Sequence, residues 1–214
     1  ITKDPLKGIS NPMPRTKVVC PDMHTVQAFI KALDVHTYRE RRLRCIILLI
    51  VDTGLRRGEV CGLKVNDLDL DNMLLTVRAE TSKSRRERIV PISPQVAKEV
   101  HRFIASCADN WKSDWIFPTW TGDYLDPLNL DKSVERISKH TGISLKLHGL
   151  RHLCATQFLR HTGNIALTAQ LLGHTNISVT SRFYEHLNIT DLQQAHAVAS
   201  PILSILSNKR IRKI

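Results

Sequence analysis

The chain has 214 residues, 42% of them hydrophobic, and can bury one sizeable core or a core with a small appendage. Its 31 Lys and Arg residues exceed its 20 Asp and Glu residues, and the net charge of +11 favours a polyanionic partner, with nucleic acid ahead of a basic protein that has no such partner. The five cysteines are odd in number, scattered and never in a Cys-x-x-Cys spacing, which indicates neither a disulfide framework nor a zinc site and favours a reducing, cytoplasmic location.

Residues 1–21 carry several prolines and basic residues without a sustained period, which predicts an extended linker or arm. The chain begins with Ile1 rather than Met, so it is expected to be a fragment or a processed product, and no signal-peptide pattern opens it. The linker is then either a solvated tether from an upstream domain or a basic arm that lies along phosphate.

Two helices are predicted next. The first follows an N-cap at Asp22, and the second runs from about Thr37 to Asp52 and ends at a glycine that permits a left-handed cap. The apolar run inside the second helix is far too short to span a bilayer. The arginines at its start, Arg39 to Arg44, are interpreted as a solvated face in preference to a phosphate contact.

Arg56 and Glu59, which follow the glycine, indicate a structural ion pair when they are taken alone.

Between Met73 and Ile92 the apolar period changes from helical to alternating, which predicts a β-hairpin. The tip of the hairpin is strongly basic, and it either enters a DNA groove or forms a solvated turn. Its basic residues are Lys83, Arg85, Arg86 and Arg88.

Helices are also predicted from Ser93 to about Cys107, from about Leu130 to His140 and, at the end of the chain, from Leu192 to Leu206. The loop around Trp115 to Phe117 is assigned to packing. The predicted fold class is therefore α+β, mainly α with a small antiparallel β-sheet or hairpin.

The stretch from His148 to Tyr184 concentrates polar chemistry between apolar stripes. His148 and Arg151 lie three apart near the start of a helix, so they are expected to share one exposed side. Asn164 caps the next helix, and His174 follows the glycine that closes it. Tyr184, taken alone, is interpreted as a half-buried aromatic residue of a last helix.

Five motifs occur in one order along the chain, and this series resembles the catalytic domain of tyrosine recombinases, the family of phage integrases, Xer and Cre. The motifs are Thr53 to Glu59, the hairpin lysine ahead of Glu87 to Pro91, His148 to His152, Leu172 to His174 and Phe183 to His186. The resemblance extends from about Asp22 to Leu187. It implies a linker over 1–21 from a missing core-binding domain, a catalytic domain over 22–190, and a C-terminal helix and basic tail over 191–214 that packs on its own domain or on a neighbouring protomer.

The resemblance also implies the site residues. Six positions match the catalytic set of the family: Arg56, Lys83, His148, Arg151, His174 and Tyr184. Glu59 matches an acidic residue that supports the first arginine, and Arg85, Arg86 and Arg88 are assigned to DNA binding. The interval from His174 to Tyr184 is one residue longer than is usual in the family, and Lys83 is chosen over the neighbouring arginines by its offset from the following motif.

Transfer of a DNA phosphodiester to a tyrosine calls for these residue types. Charge grows on the non-bridging oxygens of the phosphorane-like state, and the guanidinium groups of Arg56 and Arg151 suit that geometry. A tyrosine is mostly protonated at neutral pH, since its ordinary pKa is about 10, so a base must take its proton, and His148 is assigned to this step. Lys83 is assigned to protonate the departing 5′-oxygen and His174 to donate a hydrogen bond to the phosphate. A 3′-phosphotyrosine link conserves the bond energy, so no metal and no nucleotide cofactor is required.

Three functions are carried forward. The first is a site-specific DNA recombinase that works through a Holliday junction as a homo-tetramer on double-stranded DNA, assembled through the C-terminal helix and without a membrane partner. The second is DNA relaxation of the type IB topoisomerase kind, and the third is a DNA-binding module that has lost catalysis. The presence of all six expected residue types counts against the third.

Overall fold

One helix, α2 (Tyr38–Thr53), lies at the centre of the fold. The computed structural model describes residues 20–82, 85–108, 113–173 and 189–207. Within α2, every residue from Cys45 to Val51 is at most 4% exposed. A helix that is covered on all sides needs no polar stripe, which explains the unbroken apolar run. Each fully buried Leu or Ile side chain contributes about 1.5–3 kcal/mol to the stability of the fold.

The other helices surround α2. They are α1 (Met23–Ala32), α3 (Arg57–Cys61), α4 (Pro94–Ala108), α5 (Pro127–Thr141), α6 (Leu147–Thr162), α7 (Ile165–Leu172), α8 (Ile189–Ala199) and α9 (Ile202–Ser207). The main neighbours of α2 are α6 and α4, while α8 packs on α6 and α9 packs on α2 and α4. No helix in these ranges is long and apolar enough to cross a membrane.

Side-chain caps fix the helix starts. Asp22 Oδ1 accepts a hydrogen bond from the Thr25 amide at 2.6 Å, and Asn164 Oδ1 accepts from the amides of Ala166 and Leu167, both at 3.0 Å. These two predicted caps are confirmed. α5 begins earlier than predicted because Asp126 caps it and Pro127 occupies its first turn, where a missing N–H has no cost.

A three-stranded antiparallel sheet packs at one edge of the helices, in the order β1 (Leu68–Asp69), β2 (Leu74–Val77), β3 (Arg88–Pro91). Val77 pairs with Arg88 and Leu75 with Val90, so the predicted hairpin is confirmed. β1 was not predicted, because two residues are too few to show an alternating pattern. The predicted fold class, mainly α with a small antiparallel sheet, is confirmed.

The prediction of one terminal helix over residues 192–206 was wrong. The segment forms two helices, and Ser200 and Pro201 separate them. Proline lacks the N–H that a helix needs and disfavours helical geometry at the residue before it. Val198, an apolar residue near the end of the first of these helices, is 73% exposed.

The interpretation of Arg39 to Arg44 as a solvated face was wrong for Arg42, which is only 8% exposed. Its guanidinium donates to the carbonyl oxygen of Pro118 and lies over the Tyr38 ring, 5.3 Å from the ring centroid. Tyr38 also donates to that carbonyl, at 2.7 Å. These contacts attach α2 to the tryptophan-containing loop, whose Phe117 is fully buried as predicted.

Candidate active site

A cleft of about 1000 Å³ opens beside the loop that follows α2, between α5 and the start of α6. Four of the predicted site residues line it: Arg56, Glu59, His148 and Arg151. The hairpin side contributes Glu80 to Ser82 to the same walls. Residues from distant parts of the sequence are therefore gathered at one concave surface.

Arg56 and Glu59 are fixed at the start of α3. Gly54 ends α2 in the left-handed conformation, with φ +67°, and Arg56 then becomes the N-cap of α3. Glu59 Oε1 accepts from Arg56 Nη1 at 2.9 Å, and Glu59 Oε2 accepts from the Arg56 backbone N–H at 2.8 Å. Because Glu59 is 1% exposed, this pairing, which the sequence indicated, holds the arginine from the protein side of the cleft.

Arg88 binds the same carboxylate. Its Nη1 donates to Glu59 Oε1 at 3.0 Å and its Nη2 to Glu59 Oε2 at 2.8 Å, a two-pronged contact. Arg88 lies on β3 with 11% of its side chain exposed, whereas Arg85 and Arg86 are exposed at the tip. DNA binding by the three arginines stays a prediction. No local pattern indicated the contact between Arg88 and Glu59, since the two residues belong to separate elements.

The charge state of Glu59 follows from these contacts. Burial by itself raises the pKa of a carboxyl group, but the hydrogen bonds and charge of Arg88, together with the hydrogen bonds from Arg56, outweigh it. The pKa of Glu59 therefore lies below its ordinary value, and the carboxylate is ionised at neutral pH.

Arg151 connects three segments of the site. Its Nη1 donates to the carbonyl oxygen of Gly54, and its Nη2 donates to that of Leu172 at 2.8 Å. The prediction that His148 and Arg151 share an exposed side was wrong, because Arg151 is 5% exposed while His148 faces solvent. The ends of α2 and α7 leave carbonyl groups without helical partners, and the guanidinium satisfies one at each end. Burial and the charge of Arg56 lower the pKa of Arg151 to about 10, so it stays protonated at neutral pH.

His148 forms a pair with His152, one helical turn along α6. Their Nε2 atoms are 3.1 Å apart, and their rings meet edge to face. Burial, the charge of His152 and then the nearby arginines lower the pKa of His148. The neutral ring, which can accept a proton, is therefore favoured at neutral pH. Sequence reasoning missed His152, although its spacing of four residues from His148 was a visible signal.

Lys83, His174 and Tyr184 lie outside the described residues. The chain leading to His174 is described as far as Gly173, which ends α7 with φ +66°. A Cβ atom at Gly173 would lie 2.9 Å from both Cδ and Nε of Arg88, so glycine lets the end of α7 approach β3 closely.

Several known proteins with similar sequences are tyrosine recombinases. Residues 22–190 match the model of the phage integrase family. Tyrosine recombinase XerA of Thermococcus kodakarensis is 30% identical over 90% of this chain and 68% of its own length. A tyrosine recombinase of Pseudothermotoga lettingae is 29% identical over 92% of this chain and 65% of its own length.

Similar folds are found among solved recombinases. The crystal structure of XerA recombinase superimposes with a TM-score of 0.64 and 26% identity, over 85% of this chain and 65% of that one. XerH site-specific recombinase bound to its difH substrate, in a pre-cleavage complex, gives 0.60 and 25% over 79% of this chain and 49% of that one. The chain thus spans about half to two thirds of the length of these relatives.

Proposed function

The chain belongs to the phage integrase family as a tyrosine recombinase catalytic domain, and on that premise we propose that it cleaves and rejoins double-stranded DNA at a specific site through a 3′-phosphotyrosine intermediate. The observation that carries the proposal is the meeting of Arg56 and Arg151 in one cleft, each held from behind by buried groups. Two oriented guanidinium groups suit the charge that grows on a phosphate during in-line attack.

The remaining roles follow from charge and location. Glu59 is ionised and buried, so it orients Arg56 and offsets part of the positive charge in the cleft. His148 is exposed at the cleft with a lowered pKa, which suits a base that takes the tyrosine proton. We assign proton donation to the leaving 5′-oxygen to Lys83, a phosphate hydrogen bond to His174, and nucleophilic attack to Tyr184.

In this scheme the tyrosine oxygen forms a bond to phosphorus while the bond from phosphorus to the 5′-oxygen breaks. The tyrosine proton goes to His148, and Lys83 supplies the proton of the new 5′-hydroxyl. Religation reverses these transfers with a 5′-hydroxyl from the same or another strand. The bond energy stays in the phosphotyrosine link throughout, so the cycle needs no external energy source.

The nucleophile is tested with a nicked suicide DNA substrate that carries the recombination site. The wild-type chain is expected to accumulate a covalent protein–DNA adduct, seen as a band of reduced mobility on a denaturing gel. The Tyr184→Phe variant should form none, and Tyr124→Phe, which alters a tyrosine outside the family motif, should match the wild type. Adduct formation by the Tyr184→Phe variant would refute the assignment.

Recombination and relaxation share this chemistry and differ in their products. A pair of duplexes that carry the site is expected to yield recombinant strands and Holliday-junction intermediates. Relaxation of a supercoiled plasmid without any strand exchange would instead support the topoisomerase-like alternative.

We further propose that the chain works as a homo-tetramer on DNA through its C-terminal helix. The break at Pro201 supports α9 as the exchanged segment, because it makes α9 a helix separate from α8, and the surface of α2 and α4 that α9 covers in its own chain would accept the same helix from a neighbouring copy. Deletion of residues 201–214 should leave DNA binding by single copies and remove higher-order complexes in native gels and light scattering. Unchanged assembly by the truncated chain would refute the exchange.

A further inference from the structure

Arg88 occupies an unusual place for a hairpin arginine. It begins β3, five positions after Lys83, and its side chain is 11% exposed, while Arg85 and Arg86 are exposed. Both Nη atoms are directed to the carboxylate of Glu59, at 3.0 and 2.8 Å. A buried, two-pronged contact of this kind fixes orientation as well as distance.

The carboxylate of Glu59 is shared between two arginines of different elements. Arg56 reaches it from the start of α3 and Arg88 reaches it from β3. Glu59 is 1% exposed, so solvent screens these attractions only weakly. The position of β3 is therefore tied through one carboxylate to the position of Arg56.

Two close contacts support this placement of the hairpin. A Cβ atom at Gly62, the residue that ends α3, would lie 2.4 Å from Thr81 Cγ2, so the segment after β2 rests directly on α3. A Cβ atom at Gly173 would lie 2.9–3.0 Å from the Arg88 side chain. Arg88 thus sits between α3 and the residue that precedes His174.

We propose that Arg88 is a positioning residue that anchors the β2–β3 hairpin to Glu59 and Arg56. For catalysis this rests on the proposed function, whereas the anchoring itself does not. Loss of Arg88 would have two effects. The hairpin would lose its buried attachment to Glu59. The Glu59 carboxylate would then be paired with Arg56 without Arg88, and its stronger attraction would draw the Arg56 guanidinium away from a phosphate.

The anchoring is tested on the free chain by amide hydrogen exchange. Arg88→Gln is expected to speed exchange in the hairpin, residues 74–91, on the order of 10-fold or more, while α5 exchanges as in the wild type. Arg88→Lys should give an intermediate rate, because an ammonium group keeps the charge and loses the fork. Arg102→Gln, which alters an arginine that is 63% exposed on α4, is the matched control and should leave the hairpin unchanged. Unaltered hairpin exchange in Arg88→Gln would overturn the proposal.

The catalytic consequence is tested by single-turnover adduct formation on the suicide substrate. Arg88→Gln should lower the rate at saturating DNA about 100-fold, the order seen when an oriented transition-state contact is lost, while the Kd for DNA changes less than about 3-fold. Adding Glu59→Gln should restore about 10-fold, because the unbalanced carboxylate no longer competes for Arg56. A merely structural role would not give this rescue.

The opposite pattern would assign Arg88 to a phosphate contact. In Arg88→Gln, DNA binding would then weaken and its salt dependence would decrease by the contribution of about one phosphate contact. The rate of adduct formation at saturating DNA would stay at the wild-type value. Failure of the wild-type chain to form any adduct would refute the proposed function, and the exchange experiment would still decide the anchoring.

Discussion

The Arg151 guanidinium donates a hydrogen bond at 2.8 Å to the carbonyl oxygen of Leu172, the last residue of α7. The same guanidinium donates to the carbonyl of Gly54, at the end of α2. A residue assigned to the reacting phosphate therefore also joins the two chain segments that lead to Arg56 and to His174. The Arg151 side chain therefore has a structural role in addition to its proposed catalytic one.

Arg151→Lys is expected to lose both activity and stability. One ammonium group cannot reproduce a planar fork to two carbonyls, so at least one buried acceptor is left without its donor, at a cost of about 1–3 kcal/mol. Urea unfolding measures the stability, and the suicide-substrate assay should show a drop of about 100-fold or more. Arg160→Lys, an exposed change on the same helix, is the control. Equal stability of the Arg151→Lys variant and wild type would contradict the linking role.

Gly54→Ala should destabilise the protein more than Gly163→Ala does. Both glycines end helices with positive φ, +67° and +62°, so each substitution meets a left-handed penalty of about 1–2 kcal/mol. A Cβ at position 54 also lies 2.5 Å from Leu172 Cδ2, whereas nothing lies within 4 Å of a Cβ at position 163. Thermal unfolding of the two variants isolates the effect of the clash with Leu172. Equal losses of stability in both variants would show that α7 moves aside without a loss of stability.

The stability of the protein should depend on pH through Glu59. Its pKa in the folded protein lies below the ordinary value of 4.5. A depressed pKa means that its stabilisation is complete above about pH 4.5 and is lost as pH falls through the folded-state pKa. Urea unfolding of Glu59→Gln between pH 3 and 7 should therefore lack part of the acid-side decline of the wild type, in a protein destabilised by about 3–5 kcal/mol. Glu87→Gln on the exposed hairpin should retain the full decline, and an identical decline in Glu59→Gln would exclude the buried carboxylate as its source.

His148 should titrate below its ordinary pKa of 6.5, and His152→Gln should move that pKa upward. Removing the neighbouring imidazole removes one of the positive charges that disfavour protonation of His148. NMR titration of the histidine ring protons in the free chain measures both values. His161→Gln, at the far end of α6, is the control and should leave His148 unmoved. A downward shift in His152→Gln would mean that His152 stabilises the charged form instead.

The C-terminal segment should depend on a buried carboxylate in α2. Asp52 is 0% exposed, accepts from the Ser93 amide at 2.7 Å and from the Ser200 hydroxyl, and its own carbonyl accepts from His196 Nε2 at 2.9 Å. Ser200→Ala should therefore cost about 1–3 kcal/mol, because it leaves a buried Asp52 oxygen without its hydrogen-bond donor. Urea unfolding compares it with Ser133→Ala, whose hydroxyl bonds to a carbonyl of its own helix. Equal, small losses of stability in the two variants would show that the Ser200 hydrogen bond does not anchor α8.

Local patterns along the chain determined the elements and much of the site. The fully apolar run in α2, the alternation in β2 and the caps at Asp22 and Asn164 depend on nearby residues, so they can be recognised from the sequence. The Arg56–Glu59 pair was also accessible, because three residues separate its members at a helix start. The ordered motifs then indicated the family.

Tertiary structure alone decided which charged residues are buried and what they contact. Arg42, Arg88 and Arg151 resemble exposed cations in the sequence, yet each is held by an oxygen from a distant segment, at Pro118, Glu59 and Leu172 respectively. Periodicity describes the faces of one element and carries no information about the atoms packed across from it. A buried guanidinium is stable only where such partners converge, so the roles of these arginines became visible only when the helices and the hairpin were brought together.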